Sequence, residues 1–295
     1  LDSLDWEDPV LLERPFFNSL ARFSVKQLKL SRVCAAEDIE VETPPYGAWP
    51  LRSLDVEIKL AQYGRRQSQV AEPNGGGQNL LDDPRDGQPV EHQDLHDASP
   101  ASQEGEADFF RLSTSILRLC ASTLETLKWS HGHDMSKPIP FDPGLVEFPR
   151  LRALDLGSRM KLEKHLAKAL IRSSLSRLTI DTTDPVISQC LDEIGRIHAL
   201  ETFVWNSWDL QETQSLDFLS RNTQLRNLVI GLPVSPEFLN RRVIPLLVSS
   251  FNPLTSLSLC WADKSIPESS IIAISAIKSL EQLELRATDP TNFDY

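Results

Sequence analysis

Apolar residues in this chain return in one short form, apolar-x-x-apolar-x-apolar, at a nearly fixed interval. Nine segments carry it: Val25-Leu28-Leu30, Leu51-Leu54-Val56, Leu124-Leu127-Trp129, Leu151-Leu154-Leu156, Leu175-Leu178-Ile180, Leu200-Phe203-Trp205, Leu225-Leu228-Ile230, Leu254-Leu257-Leu259 and Leu280-Leu283-Leu285. Leucine fills 20 of the 27 slots, and successive starts lie 26, 73, 27, 24, 25, 25, 29 and 26 residues apart. The position after the first apolar residue is polar in all nine, and the fifth is polar in seven, with Val204 and Val229 the exceptions. Alternation over the fourth to sixth positions is the two-residue period of a half-buried strand. These positions are called slots 1 to 6 below, continuing to 7 and 8.

Between the strands the period lengthens toward 3.6. Residues 184–198 set Val186, Ile187, Cys190, Leu191, Ile194 and Ile197 on one helical face, behind a capping Asp184 and Pro185 at the first turn. Residues 108–120, 160–172, 235–250 and 267–279 show the same spacing, and Pro245 is expected to kink or shorten the third of these. Each unit is thus a strand plus a helix, and neither buries its apolar side without the neighbouring units. Stacked, they predict an α/β solenoid with a curved parallel sheet on the concave side, helices on the convex side and about nine repeats.

This pattern resembles the leucine-rich-repeat family over nearly the whole chain. Phrases such as Cys120-Ala121-Ser122-Thr123-Leu124-Glu125-Thr126-Leu127-Lys128-Trp129 and Phe148-Pro149-Arg150-Leu151-Arg152-Ala153-Leu154-Asp155-Leu156 are similar to the divergent repeats of fungal F-box proteins. One family feature is missing: the asparagine or cysteine that follows the last strand leucine is replaced by Val33, Arg159, Trp208, Ala262 or their neighbours. Helices or waters are then expected to satisfy the turn backbone in place of an asparagine ladder.

The 73-residue step holds about 46 residues more than one repeat uses. The excess lies at 62–107, which carries Gly75-Gly76-Gly77, Asp82-Asp83-Pro84 and Ala98-Ser99-Pro100, and half of the chain's 12 glycines. From Gln62 to Asp108 there are ten acidic and three basic residues, a net of -7 out of -12 for the 295-residue chain. Ordering such a segment costs about 1–2 kcal/mol per residue with little apolar area to offset it, so it reads as a disordered acidic insertion in a single domain spanning 1–295. It leaves room for a binding motif or phosphosites, or is simply a tolerated insertion. The chain's acidity is then mainly a property of this segment.

The chemistry-bearing residues are sparse. Cys34, Cys120, Cys190 and Cys260 stand singly, with no C-x-x-C pair and no N-x-[ST] acceptor, which favours a reducing cytoplasmic or nuclear compartment. His131-Gly132-His133-Asp134 is the one cluster of metal-ligand types, and it reads as a polar strand-to-helix turn. Asp55 and Glu57 share one face of a strand and look solvated. No phosphate-loop, dinucleotide, nucleophile-elbow or zinc-protease motif occurs, so no catalytic residue, cofactor or metal site is assigned and the chain does not read as an enzyme. Basic residues Lys26, Lys29, Arg32 and Arg52 are answered by Asp55 and Glu57, which argues against nucleic acid. No run approaches the roughly 18 apolar residues of a membrane span. The start at Leu1, with no Met and no leader, suggests a fragment.

What remains is an apolar trace. With slots 2, 3, 5, 7 and 8 facing the concave solvent side, Val204, Val229, Leu232 and Trp261 are expected on one patch, with Trp208 one place beyond. Contiguous exposed apolar area marks partner sites, and Trp is enriched among the residues that dominate them. Trp129 and Trp205, in slot 6, are expected in the core. The resemblance implies a protein-recognition module, the substrate-binding repeats of an F-box-type ubiquitin-ligase receptor whose F-box would lie upstream of Leu1 and grip the ligase adaptor. The alternative is a stand-alone scaffold or inhibitor of the same architecture.

Overall fold

A computed structural model describes residues 2–7, 11–35, 41–43, 47–58, 112–131, 138–141, 144, 147–207 and 212–289. The insertion at 62–107 lies outside them. In chain order the elements are β1 (Ser3–Trp6), β2 (Leu11–Leu12), α1 (Arg14–Arg22), β3 (Gln27–Ala35) and β4 (Ser53–Ile58). Helical residues 112–120 form α2. Then follow β5 (Thr126–His131), β6 (Ala153–Leu156), α3 (Lys164–Ile171), β7 (Arg177–Ile180), α4 (Pro185–Ile194), β8 (Thr202–Trp205), α5 (Glu212–Arg221) and β9 (Asn227–Val234). The chain continues through α6 (Pro236–Phe238), a π turn (Leu239–Val243), α7 (Ile244–Ser250), β10 (Ser256–Trp261), α8 (Glu268–Ile274) and β11 (Gln282–Ala287).

The strands form one parallel sheet in the order β1-β3-β4-β5-β6-β7-β8-β9-β10-β11, with β2 paired to β3 beside this path. Strands and helices alternate along it in a solenoid-like α/β arrangement. All nine slot patterns are strands, and β1 adds a tenth on the path through the same form in Leu1, Leu4 and Trp6. Two helices that the periodicity does not name, α1 and α5, occupy the same place in their units as the named ones.

Each junction between neighbouring strands is closed the same way. The carbonyl of a slot 2 residue accepts the N–H groups of slots 2 and 3 in the next unit. Asp2 accepts from Lys26 and Gln27, Arg52 from Glu125 and Thr126, Thr255 from Glu281 and Gln282, and all nine such pairs measure 2.7–3.1 Å. This explains the persistent polarity of slot 2: its backbone is committed to the ladder, while its side chain stays at the rim.

One sheet face is covered by helices. From β3 to β10, every slot 1, 4 and 6 residue except Val56 is buried, packed with Leu166, Leu170, Ile187, Leu191, Phe218 and Leu247 from the helices, while Leu4 and Trp6 of β1 are partly buried. Burying such a side chain contributes about 1.5–3 kcal/mol. At β11 the pattern relaxes, and Leu283 is 47% exposed. Trp129 and Trp205 are in the core, as their slot predicts.

Local rules account for the helices. In α4, Asp184 caps by accepting from the Val186 N–H at 3.0 Å, Pro185 supplies the first turn, and Gly195 ends the helix at φ +70°, a conformation that glycine enters freely. Pro245 neither breaks nor sharply shortens its segment. The preceding turn widens instead, with the Ile244 N–H reaching the Leu239 carbonyl, and Pro245 falls in the first turn of α7, where its missing donor costs little.

The turn backbone finds its partners in side chains of the following unit rather than in an asparagine row. Asp184 accepts from the Leu162 N–H at 2.8 Å, Thr182 donates to the Met160 carbonyl at 2.5 Å, and Glu163 accepts from the Phe141 N–H. Farther along, the buried Asn222 accepts from the Ile197 N–H at 2.9 Å and donates to the Gly195 carbonyl at 2.9 Å.

Candidate binding face

The other sheet face is built from slots 3, 5 and 7. Strand register aligns slot 5 into one continuous row: Asp5, Lys29, Asp55, Lys128, Asp155, Thr179, Val204, Val229, Ser258 and Glu284. Paired residues of parallel strands sit about 4.8 Å apart on the same face, so the row is a line of side-chain neighbours.

Its first half alternates in charge and largely satisfies itself. Lys29 lies 3.1 Å from Asp5 and 2.7 Å from Glu7, and Lys128 lies 3.7 Å from Asp55. The hydrogen bond to Glu7, then that to Asp5, holds the Lys29 ammonium above its ordinary range. These pairs are solvent-screened, so their net contribution to stability is small.

The row then changes character at Asp155. Its carboxylate makes no hydrogen bond or ion pair with a described residue, and burial raises its pKa against the opposing pull of Lys128 and Arg177. Next to it, Thr179 is only 7% exposed and its hydroxyl has no partner. Two residues along the same chain direction, Asp181 continues the extended backbone, its N–H bonded to the Leu156 carbonyl at 2.8 Å. Burial raises the Asp181 carboxyl as well, and the charge of Asp155 pushes it further.

The slot 7 neighbours leave Asp181 without help. On one side stands Gly157, where an added Cβ would come within 2.4 Å of Ser130 Cβ. On the other, Asn206 lays its side-chain oxygen over Gly231, only 2.1 Å from where a Cβ would sit there. The Asn206 side-chain oxygen thus faces the glycine, and no hydrogen bond joins Asn206 to Asp181. Beyond Thr179 the row becomes aliphatic, with Val204 and Val229 directly paired and both half-buried.

Of the residues expected in the apolar patch, Val204 and Val229 are therefore brought together. Leu232 is half-buried near the far end of β9, where the pairing with β10 shifts register between Leu259 and Trp261. Trp208 lies outside the described residues. Trp261 does not belong to the patch: it is 0% exposed, and its indole N–H donates to Asn240 Oδ1 at 3.2 Å. The reason is parity. β10 pairs with β11 without interruption through Trp261, so slot 8 keeps the inward direction of slots 4 and 6. His131 and Thr182 occupy slot 8 in their own units and are buried too.

Among the described residues no three His, Cys, Asp or Glu side chains converge on a point that could hold a metal ion. His133 and Asp134 lie outside them. Cys120, Cys190 and Cys260 are buried free thiols, and burial pushes Cys120 up to about 12 and Cys190 up to about 11, which removes thiolate reactivity at neutral pH. No described helix is long and apolar enough to cross a membrane.

The sequence reading missed Asp155, Thr179 and Asp181. Their signal was present once the units are aligned in columns, because slot 5 places Asp155 beside Thr179 and slot 7 sets Asp181 between Gly157 and Asn206. Neither a protein-family model nor a curated protein matches the chain.

Proposed function

We propose that this chain is a leucine-rich-repeat region that recognises another protein, serving as the substrate-binding part of an F-box-type ubiquitin-ligase receptor. On this reading the open sheet face is the concave one, and an F-box upstream of Leu1 joins the chain to the ligase adaptor. The observation that supports protein recognition is the slot 5 row, a continuous line of ten side chains running from paired charges to an aliphatic step. A surface graded in this way suits a peptide segment or a domain face, which offers charged and apolar groups in sequence.

The test is affinity capture of the full-length native protein, scored for the F-box-binding adaptor and cullin. Recovery of both is the expected result. A retained partner without adaptor or cullin overturns the ligase role and leaves a stand-alone scaffold or inhibitor.

A further inference from the structure

We infer that Asp155, Thr179 and Asp181 form the seat on the open face for a lysine or arginine side chain of the protein partner, an inference that rests on the recognition reading above. Three observations on different strands converge on it. Two carboxylates on one face, both partly buried, accept no hydrogen bond from a described residue. A third polar group, the Thr179 hydroxyl, is buried beside Asp155 without a partner. The adjoining slot 5 positions, Val204 and Val229, offer a half-buried aliphatic step.

Partial desolvation of two neighbouring carboxylates disfavours their charged forms, and a cationic donor offsets this for both at once. The aliphatic step selects among cations. A lysine or arginine stem lies along apolar surface while its head reaches the carboxylates, whereas a bare metal ion gains nothing from two valines. A hard divalent ion also needs six or more oxygen ligands, and two carboxylates with one hydroxyl fall well short.

Among the described residues no cation fills the seat. Lys128 lies 3.7 Å from Asp55 and pulls on its sheet neighbour Asp155 through space, with no hydrogen bond or ion pair to it. Arg177 acts on Asp155 in the same way, after Lys128 and without a hydrogen bond or ion pair to it, and no described cation acts on Asp181. The incoming head group is placed between Asp155 and Asp181, with Thr179 turning about its Cα–Cβ bond to accept from it.

The experiment titrates N-acetyl-lysine methylamide and N-acetyl-arginine methylamide into the full chain carrying methyl labels on Thr and Val. Saturable shifts of the Thr179 and Val204 methyls are expected, with dissociation constants of about 1–10 mM. The norleucine analogue should leave both signals in place, and D155N/D181N should weaken binding about tenfold or more. No shift at either methyl, an equal response to norleucine, or unchanged binding by D155N/D181N overturns the inference. So does displacement of the lysine probe by calcium at similar concentration, which would make the seat a metal site. Thermal unfolding of the double variant confirms that it is folded.

Capture of the native partner separates this inference from the broader reading. A partner held equally well by D155N/D181N removes the seat and keeps protein recognition. Probe binding with no captured protein does the reverse.

Discussion

The two faces of the sheet follow different rules although they are made by alternate residues of the same strands. Toward the helices, slots 4 and 6 hold apolar residues in unit after unit, and nearly all of them are buried. Toward the open side, slot 5 passes from alternating charge to Asp155, which no described residue hydrogen-bonds, and on to paired valines within ten strands. Repetition is what a stacked architecture needs, because each unit's apolar side is covered only by its neighbours. Variation is what recognition needs. The face that varies is therefore the one on which to look for specificity, and the face that repeats is where stability resides.

The largest effect is expected at Trp261. Replacing it with Ala should cost about 3–5 kcal/mol, since a fully buried indole and its hydrogen bond to Asn240 are lost together. Chemical denaturation measures it, and a loss below about 1 kcal/mol would return Trp261 to the open face.

The sharpest contrast comes from two adjacent residues of β7. Leu178→Ala should cost about 2–5 kcal/mol, as for other fully buried leucines. Thr179→Val should be neutral or stabilising, because it removes a buried hydroxyl that has no partner. Equal losses at both positions would erase the distinction between the faces.

Asp184→Ala should fall between these extremes, at about 2–3 kcal/mol. It deletes the α4 cap and leaves the Leu162 N–H buried without an acceptor. Asp184→Asn retains an acceptor and should recover most of the loss in the same denaturation series.

The smallest effect is electrostatic. Asp155 and Asp181 bind protons more readily folded than unfolded, because burial raises both carboxyls. Their contribution to stability is thus fully present below the unfolded aspartate pKa of about 3.9 and declines as pH rises through their raised folded values. Asp155→Asn and Asp181→Asn should each leave the Tm at pH 7 equal or higher, with the advantage gone at the acid end. A variant less stable than the parent at neutral pH would mean that the carboxylate is already well partnered.

Legibility in the sequence divides along the same line. The strands were readable because burial forces leucine-like residues into fixed slots, and Asp184-Pro185 marked the start of α4 from chemistry local to that turn. The tenth strand on the path was equally visible in Leu1, Leu4 and Trp6, outside the run that begins at Val25. Trp261 was misassigned because slot 8 was placed with the solvent positions, whereas an uninterrupted strand returns it to the core. The acidic centre was invisible along the chain, since Asp155 and Thr179 lie 24 residues apart and become neighbours only through pairing of β6 with β7. The same-strand pair Asp55 and Glu57 drew attention instead, and Asp55 turns out to be engaged by Lys128.

The carbonyl ladder at slot 2 has an engineering consequence. The Arg52 carbonyl receives the Glu125 and Thr126 N–H groups at 2.7 and 2.9 Å, across a stretch of more than 70 residues, with the same geometry that joins units about 25 residues apart. The seam fixes where the next strand begins and is indifferent to how much chain is paid out before it. The cost of closing a longer loop grows only with the logarithm of its length, so cargo as large as a small domain can be spliced into this junction without moving either flanking strand. The solenoid-like stack thus has a built-in port for payload at β4–β5, one junction before the β5–β6 pair that leads into the proposed acidic seat.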